Sequence, residues 1–347
     1  MEQTVTRRET TEARPRSWGA RPAWLVVAVA ALVVICALSV AIGSRTIPFG
    51  TVWDVLTGAL KTGDEATIIW DRRVPRTLIG LLVGTALGVA GALMQSLTRN
   101  PLADPALLGV DIGASTAVVA SIAFFGITTV GGYIWFAFLG AAAASVVVYV
   151  LGSTGRQVTP ERMVLAGAAI SASLGAFVAA TLVLDPAAFQ QFRFWQIGSL
   201  DNRDMAVVLQ VLPFILAGLL VAATLASPLN ALALGDETGR ALGVNLTLVR
   251  LGCALAITLL CGAATAAVGP IAFIGLTVPH MARALTGPDQ RWVLPFSAVL
   301  APVLLLGADV VGRVIISPRE MEVGIITAFV GAPVFIALCR RRKLAHL

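Results

Sequence analysis

Charge is scarce in this chain. Of its 347 residues 13% are Asp, Glu, Lys or Arg, against 57% apolar. Soluble globular domains carry about a quarter charged residues, so that class is excluded. Lysine is almost absent: Lys61 and Lys343 stand against 23 arginines. Neither lysine lies in a G-x-x-x-x-G-K-[ST] string, so no phosphate-binding loop is present. Any ATP-driven activity needs its nucleotide site on another chain. Histidine is limited to His280 and His346. With no second histidine or carboxylate pair beside it, His280 reads as a packing or loop-bonded residue rather than a metal ligand. Cys36, Cys253, Cys261 and Cys339 lie in apolar runs without C-x-x-C spacing, so they read as small packing residues. The net charge of +6 is scattered over connecting segments rather than gathered in a patch, which argues against nucleic acid.

What the chain has in abundance is apolar length. Its mean hydropathy is +0.87. Apolar segments of about 20 residues recur from end to end, so the class is an all-α, polytopic membrane protein. Residues 1–21 are polar and arginine-rich and read as a disordered cytoplasmic tail. Spans are expected at 24–42, 76–98, 106–126, 131–151, 163–184, 205–226, 247–268, 271–285, 292–312 and 323–339. The first is too long for a signal-peptide core and no cleavage site follows it, so it is read as retained. The membrane domain is then 22–340, and 341–347 is a second cytoplasmic tail. With both termini inside, sixteen basic residues fall inside and nine outside, the expected asymmetry.

One stretch organises the rest, from Arg73 to Gly113. Gly80, Gly84 and Gly88 recur every fourth residue within its apolar run. On a helix they share one face, where a neighbouring backbone can approach closely. The run stops at Arg99-Asn100-Pro101, and Pro101 and Pro105 hold the following connector stiff and non-helical. A second polar segment, 228–245, separates spans six and seven. It reads as a short amphipathic helix capped by Asp236 and ended by Gly243, with Leu234, Ala241 and Leu242 beside Asp236, Glu237 and Arg240. Taken alone, such a helix has lying on the inner leaflet as its alternative.

The wording of these stretches carries a resemblance. R-V-P-R at 73–76, G-A-L-M-Q at 91–95, R-N-P-L-A-D-P at 99–105 and L-L-G-V at 107–110 resemble the permease family that imports iron–siderophore complexes, haem and cobalamin in ATP-driven (ABC) importers. F-R-F-W-Q-I-G-S-L-D at 192–201 and the long string C-G-A-A-T-A-A-V-G-P-I-A-F-I-G-L-T-V-P-H at 261–280 are similar to the D-type permease of ferric-enterobactin importers. The resemblance implies a type II ABC importer permease fold and no enzymatic chemistry on this chain.

It also implies roles. Arg73, Arg76 and Arg313 match arginines that grip acidic residues on an external siderophore-binding protein. Gly235, Asp236, Glu237, Arg240, Ala241, Leu242 and Gly243 match a loop that couples to an ATPase subunit. Asn100 and Leu102 match an inner gate, with the loop from Gly152 to Arg162 as a second constriction. Phe192, Phe194 and Trp195 are expected at the outer interface as an aromatic belt, or as contacts to the cargo. The implied partners are a second related permease (a heterodimer by the D-type likeness, a homodimer as the alternative), two ATPase subunits holding ATP and Mg, the binding protein and membrane lipid. No cofactor or metal is expected on this chain, and the place is the bacterial inner membrane. One departure stands out: Glu322 occupies the proline position of the family's E-x-P-V-G string. Haem or cobalamin is the alternative cargo. An ion-coupled secondary transporter would need buried mid-span acids, and only Asp309, near a span end and one turn before Arg313, comes close. An intramembrane enzyme would need a catalytic pair at depth, and no Ser, His and Asp spacing brings one together.

Overall fold

The computed structural model describes residues 20–43, 45–153, 160–316 and 319–340, and side chains within them except at 20, 160, 161 and 338–340. Most of both expected tails, and 154–159 of the expected second constriction, lie outside the described residues. The described chain is helical, with no strand among these residues. α1 (Ala20–Ala41) is followed by two short helices, α2 (Phe49–Leu56) and α3 (Asp64–Ile68), and then by α4 (Val74–Thr98). After a turn at Pro105–Leu108 come α5 (Val110–Phe125), α6 (Val130–Ser153), α7 (Pro160–Leu184) and the short α8 (Pro186–Ile197). α9 (Met205–Ala233), the one-turn α10 (Asp236–Ala241) and α11 (Leu246–Val268) lead to α12 (Ile274–Thr286), α13 (Gln290–Ile315) and α14 (Val323–Arg340).

Seven of these helical stretches are long and apolar enough to cross a membrane. The ten expected segments are all helical, but three fall short of full length: α5, α12 and α14. α12 is short because the chain breaks between Gly269, at φ +81°, and Phe273, at φ +70°. Such a break survives at membrane depth only where protein covers the freed backbone. Here the end of α8 covers it, and the Ser199 amide donates to the Val268 carbonyl at 2.8 Å.

Two boundaries differ from expectation. The second span does not begin at 76. Helix starts at Asp64 and passes through a π-turn at Ile69–Arg73 into α4. Pro75 has no N–H to give the carbonyl four residues back, so the ladder widens at that point instead of breaking. The segment is held by a small apolar cluster of Ile47, Val52, Val55, Ala66 and Ile69. The coupling segment also starts later than 228, because α9 continues to Ala233 with Pro228 inside it. Leu229 and Leu232 are buried, and that anchorage holds the last turns helical.

α4 lies at the centre, packed on α13, α11, α12 and α9. Of its most apolar window 78% is buried, against 17% for α1 and for α7, so those two carry the outward apolar faces. Lipid is as apolar as Leu, so close backbone approach rather than burial from water must hold α4 in place. The expected glycine face provides it. A Cβ on Gly84 would lie 2.5 Å from the Pro302 Cα, and one on Gly88 2.5 Å from the Ser297 oxygen, both on α13.

Candidate functional site

Polar side chains gather at the two ends of the bundle. Following the arginine asymmetry, the end carrying α2 and α8 is called outer and the end carrying α10 inner.

At the outer end, Arg76 in the first turn of α4 donates to Asp309 on α13 (Nη2 to Oδ1, 2.7 Å) and to Glu320 Oε2 at 2.6 Å. It also reaches Asp201 Oδ1 at 3.3 Å. Asp309 accepts from Arg313 one turn further along α13, the pair expected from the sequence. Arg313 Nη1 then donates to the carbonyls of Ser39 (2.7 Å) and Ile42 (2.9 Å). Arg73 donates to those of Val40, Ala41 and Arg45 at 2.9, 2.6 and 2.6 Å. The last carbonyls of a helix have no partner within it and form the negative end of its dipole. Two guanidiniums therefore finish α1.

The three arginines matched to docking are thus turned inward. Arg313 is 2% exposed, and Arg73 and Arg76 are buried too. Their hydrogen bonds run to this chain's own carboxylates and carbonyls, which fix them more firmly than water would at this depth. They are not the snorkelling arginines of a membrane edge. All three still line an outer cleft of about 270 Å³, together with Arg45, Arg72, Arg203, Asp201 and Glu320. The exposed cations at its rim are Arg45 and Arg72, the latter donating to Asn202 Oδ1 at 2.7 Å. The roles of Asp201, Glu320 and Ser39 were not foreseen. The available signal is that Asp201 ends one motif and Glu320 begins another, both on an outer side crowded with arginines.

A second outer cleft, of about 430 Å³, is lined by Phe194, Trp195, Tyr133, Arg203, Glu322 and neighbouring polar residues. The expected aromatic trio divides here. Asp185 caps α8 by accepting from the amides of Ala187 and Ala188, and the helix packs against α5 and α7. Phe192 is then fully buried, and Trp195 nearly so, with their ring centres 5.6 Å apart. Phe192 is neither a belt residue nor a cleft residue, because a helix laid on the bundle turns one face into the core. Phe194 is exposed, with the Arg193 guanidinium 4.5 Å above its ring. Glu322, the departure from the motif, opens into this cleft.

At the inner end, α4 finishes with Arg99 in the left-handed region, at φ +50°. Asn100 Oδ1 accepts the Leu102 amide at 2.9 Å, an Asx-turn, and the Asp104 carboxylate accepts the Ala106 amide. Asn100 and Leu102 are both exposed, so the structure places them at a free inner surface without bringing an opposing wall to them.

Nearby, α10 is flanked by Gly235 (φ +109°) and Gly243 (φ +80°), conformations that favour glycine. Gly243 ends the helix as expected, with the Val244 amide returning to the Gly239 carbonyl at 3.0 Å. Asp236 does not cap it. Gly235 holds the cap position and Asp236 is the first helical residue, its carboxylate drawn instead to Arg250 (2.5 Å) and Arg99. Partial burial works against that charge, but the guanidiniums of Arg250 and Arg99 hold its carboxyl below the usual range. Glu237, Arg240, Ala241, Leu242 and Leu234 face outward, Leu234 and Leu242 strongly so.

The FecCD transport family matches residues 31–341 of this chain. The ferric enterobactin transport system permease protein FepD of Escherichia coli (strain K12) is 49% identical over 313 residues, covering 90% of this chain and 93% of that protein. The chain belongs to the FecCD transport family. A second FecCD-like relative, the probable siderophore transport system permease protein YfiZ of Bacillus subtilis (strain 168), is 40% identical over 89% of this chain and 93% of its own length. The hemin transport system permease protein HmuU of Yersinia pestis is 38% identical over 90% and 94%. Among solved structures, an inward-facing conformation of a putative metal-chelate type ABC transporter superposes with a TM-score of 0.81 at 26% identity, covering 92% of this chain and 99% of that one. A FecCD chain is a transport permease subunit of an ABC importer, not an enzyme.

Proposed function

We propose that this chain is one permease subunit of an ATP-driven importer that carries an iron(III)–siderophore, of the catecholate type, across the bacterial cytoplasmic membrane. The observation that carries the proposal is the 49% identity to the ferric enterobactin permease over nine-tenths of the chain. A second, related permease completes the path, and two ATPase subunits supply ATP and Mg. Both termini lie on the cytoplasmic side. An external siderophore-binding protein docks on the outer face and releases its cargo over the cleft that holds Phe194 and Trp195. Asn100 and Leu102 meet their counterparts from the second permease to form the inner gate. The exposed surface of α10, carried by Glu237, Arg240, Ala241 and Leu242, seats in the ATPase, and nucleotide-driven motion of that helix switches the gate. Growth of a permease-deficient bacterium on ferric enterobactin as sole iron source tests the cargo. Restored growth is expected on the catecholate, with none on haemin or a ferric hydroxamate. Growth on haemin alone would replace the cargo and keep the machine.

Docking is assigned to the arginine-lined cleft, with acidic side chains of the binding protein as its occupants. Arg73, Arg76 and Arg313 set the shape and potential of this cleft from beneath, and Arg45 and Arg72 meet the partner first. The double variant Arg45→Glu/Arg72→Glu is expected to weaken binding of the external protein by about tenfold or more at low salt, mainly by slowing association. The difference should shrink as salt rises, because exposed charges are screened beyond roughly 8 Å at physiological ionic strength. Surface-immobilised complex and the purified binding protein give the rates. Unchanged association would remove Arg45 and Arg72 from the interface.

A further inference from the structure

The coupling helix and the inner connector are joined within this chain by a single carboxylate. Asp236 opens α10, yet its two oxygens go to separate guanidiniums: Oδ2 to Arg250 on α11 at 2.5 Å, and Oδ1 to Arg99 at the end of α4. Arg99 is the residue immediately before Asn100. We propose that Asp236 is a transmission clasp, which couples displacement of α10 to the connector bearing Asn100 and Leu102, rather than a contact to the ATPase. The proposal rests on the reading of α10 as the ATPase-facing helix and assigns one of its residues a different task.

Three features of the geometry support it. The carboxylate is spent inside the chain, while Glu237, Arg240, Ala241 and Leu242 point outward and remain for a partner. A cap residue bonds backbone amides, whereas the Asp236 carboxylate accepts from the Arg99 and Arg250 side chains. Next, α10 is built to move as a unit. Gly235 and Gly243 bracket it, and a side chain at either would meet nothing within 4 Å. Between them Gly239 is the one buried residue of α10, so the helix has a glycine at each end and rests on α9 and α11 through a residue with no side chain.

The connector, in contrast, is built not to bend. The Asn100 amide returns to the Gln95 carbonyl at 3.1 Å, the Asn100 side chain closes its own turn, and Pro101 and Pro105 fix two backbone angles. Beyond it, the turn Pro105–Leu108 is wedged between neighbours. A Cβ on Gly275 of α12 would come within 3.2 Å of Pro105 Cδ, and one on Gly167 of α7 would strike the Leu107 carbonyl oxygen. A stiff segment clasped at Arg99 passes a displacement on to α7 and α12 instead of absorbing it. An ion pair suits this task because it can slide a little without breaking, and its partners are half-exposed at most. Coupling of this kind needs an element that responds at both ends, and the clasp supplies the joint.

The test uses the whole complex in proteoliposomes and needs no knowledge of the cargo. Leu102→Cys reports the state of the inner connector through its rate of labelling by a polar maleimide, corrected for the labelling of the unsubstituted chain. With the clasp intact, adding ATP is expected to change that rate by about tenfold, equivalent to roughly 1.4 kcal/mol of coupling. In Arg99→Gln and in Asp236→Asn the ATP-dependent change should fall below about twofold, with ATPase subunits bound and hydrolysing as before. The double variant should be no worse than either single one, because both remove the same link. Arg99→Lys, which keeps the charge, should recover most of the response.

Several results would overturn the clasp. These are effects that multiply in the double variant, loss of bound ATPase in Asp236→Asn, or a connector that ignores ATP with the clasp intact. Leu242→Arg separates this from the reading beneath it. ATPase retained in that variant would move the docking surface off α10, whatever the clasp variants show.

Discussion

Replacing Asp309 by alanine is expected to remove most of the folded protein from the membrane. Asp309 is 1% exposed and neutralises two guanidiniums, Arg76 from α4 and Arg313 from its own helix. Without it, Arg313 keeps only carbonyl and hydroxyl acceptors on α1, and Arg76 keeps Glu320 and the half-exposed Asp201. Leaving a buried charge uncompensated costs about 3–5 kcal/mol. That is a large part of the roughly 5–15 kcal/mol by which a folded protein usually exceeds its unfolded state. Two helices meet at this carboxylate and Arg313 links it to the end of α1, so the loss spreads from the α4–α13 contact to α1. Asp309→Asn keeps the shape and one acceptor, and should lie between wild type and alanine. The exposed Asp64→Asn is the control and should be silent. Thermal unfolding in detergent, followed with membrane yield, reads all three. An Asp309→Ala protein as stable as wild type would mean that the arginines find water, and that the cluster is looser than its geometry.

The second large effect is expected at Gly84. Substitution to leucine should prevent α4 from seating on α13, because a Cβ alone would already stand 2.5 Å from Pro302 Cα and 2.7 Å from Pro302 N. These are backbone atoms in the middle of α13, and they cannot step aside as a side chain does. Gly80 is the informative comparison. A Cβ there meets chiefly the methyl end of Leu306, which can rotate away. Gly84→Ala should therefore destabilise by about 1–3 kcal/mol and Gly80→Ala by less, although both sit on the same stripe. Gly50→Ala, with nothing within 4 Å, should leave stability unchanged. Equal effects at Gly80 and Gly84 would mean that α13 yields, and that the glycine stripe is not what fixes the distance between the two helices.

Much of this architecture is legible in the sequence because the bilayer leaves few choices. Long apolar runs must be helical, small residues at every fourth position must face another backbone, and Pro and Gly must mark the breaks. Gly84, Gly243 and the Asn100 turn follow from such local rules. What was illegible depends on contacts distant in sequence. Nothing within the R-V-P-R string reveals that Arg73 and Arg313 complete the end of α1, or that Arg76 is already held by Asp309 and Glu320. Charge near a membrane edge reads as exposed until the partner carboxylates are brought to it. Asp236 shows the same limit. An acid at a helix start resembles a cap, and only the fold sets Arg99 and Arg250 beside it. Phe192 and Trp195 read as an interfacial belt, because the sequence does not say that α8 packs one face against α5 and α7.

As a FecCD permease, this chain forms part of an ATP-driven path for an iron(III)–siderophore. The most direct measurement is uptake of radio-iron, presented as ferric enterobactin on its binding protein, into proteoliposomes holding both permeases and the ATPase with ATP enclosed. Accumulation is expected, requiring hydrolysable ATP and lost when Asp236→Asn uncouples the connector. Accumulation that proceeds without ATP, or no uptake of the catecholate while another iron chelate is carried, would contradict it.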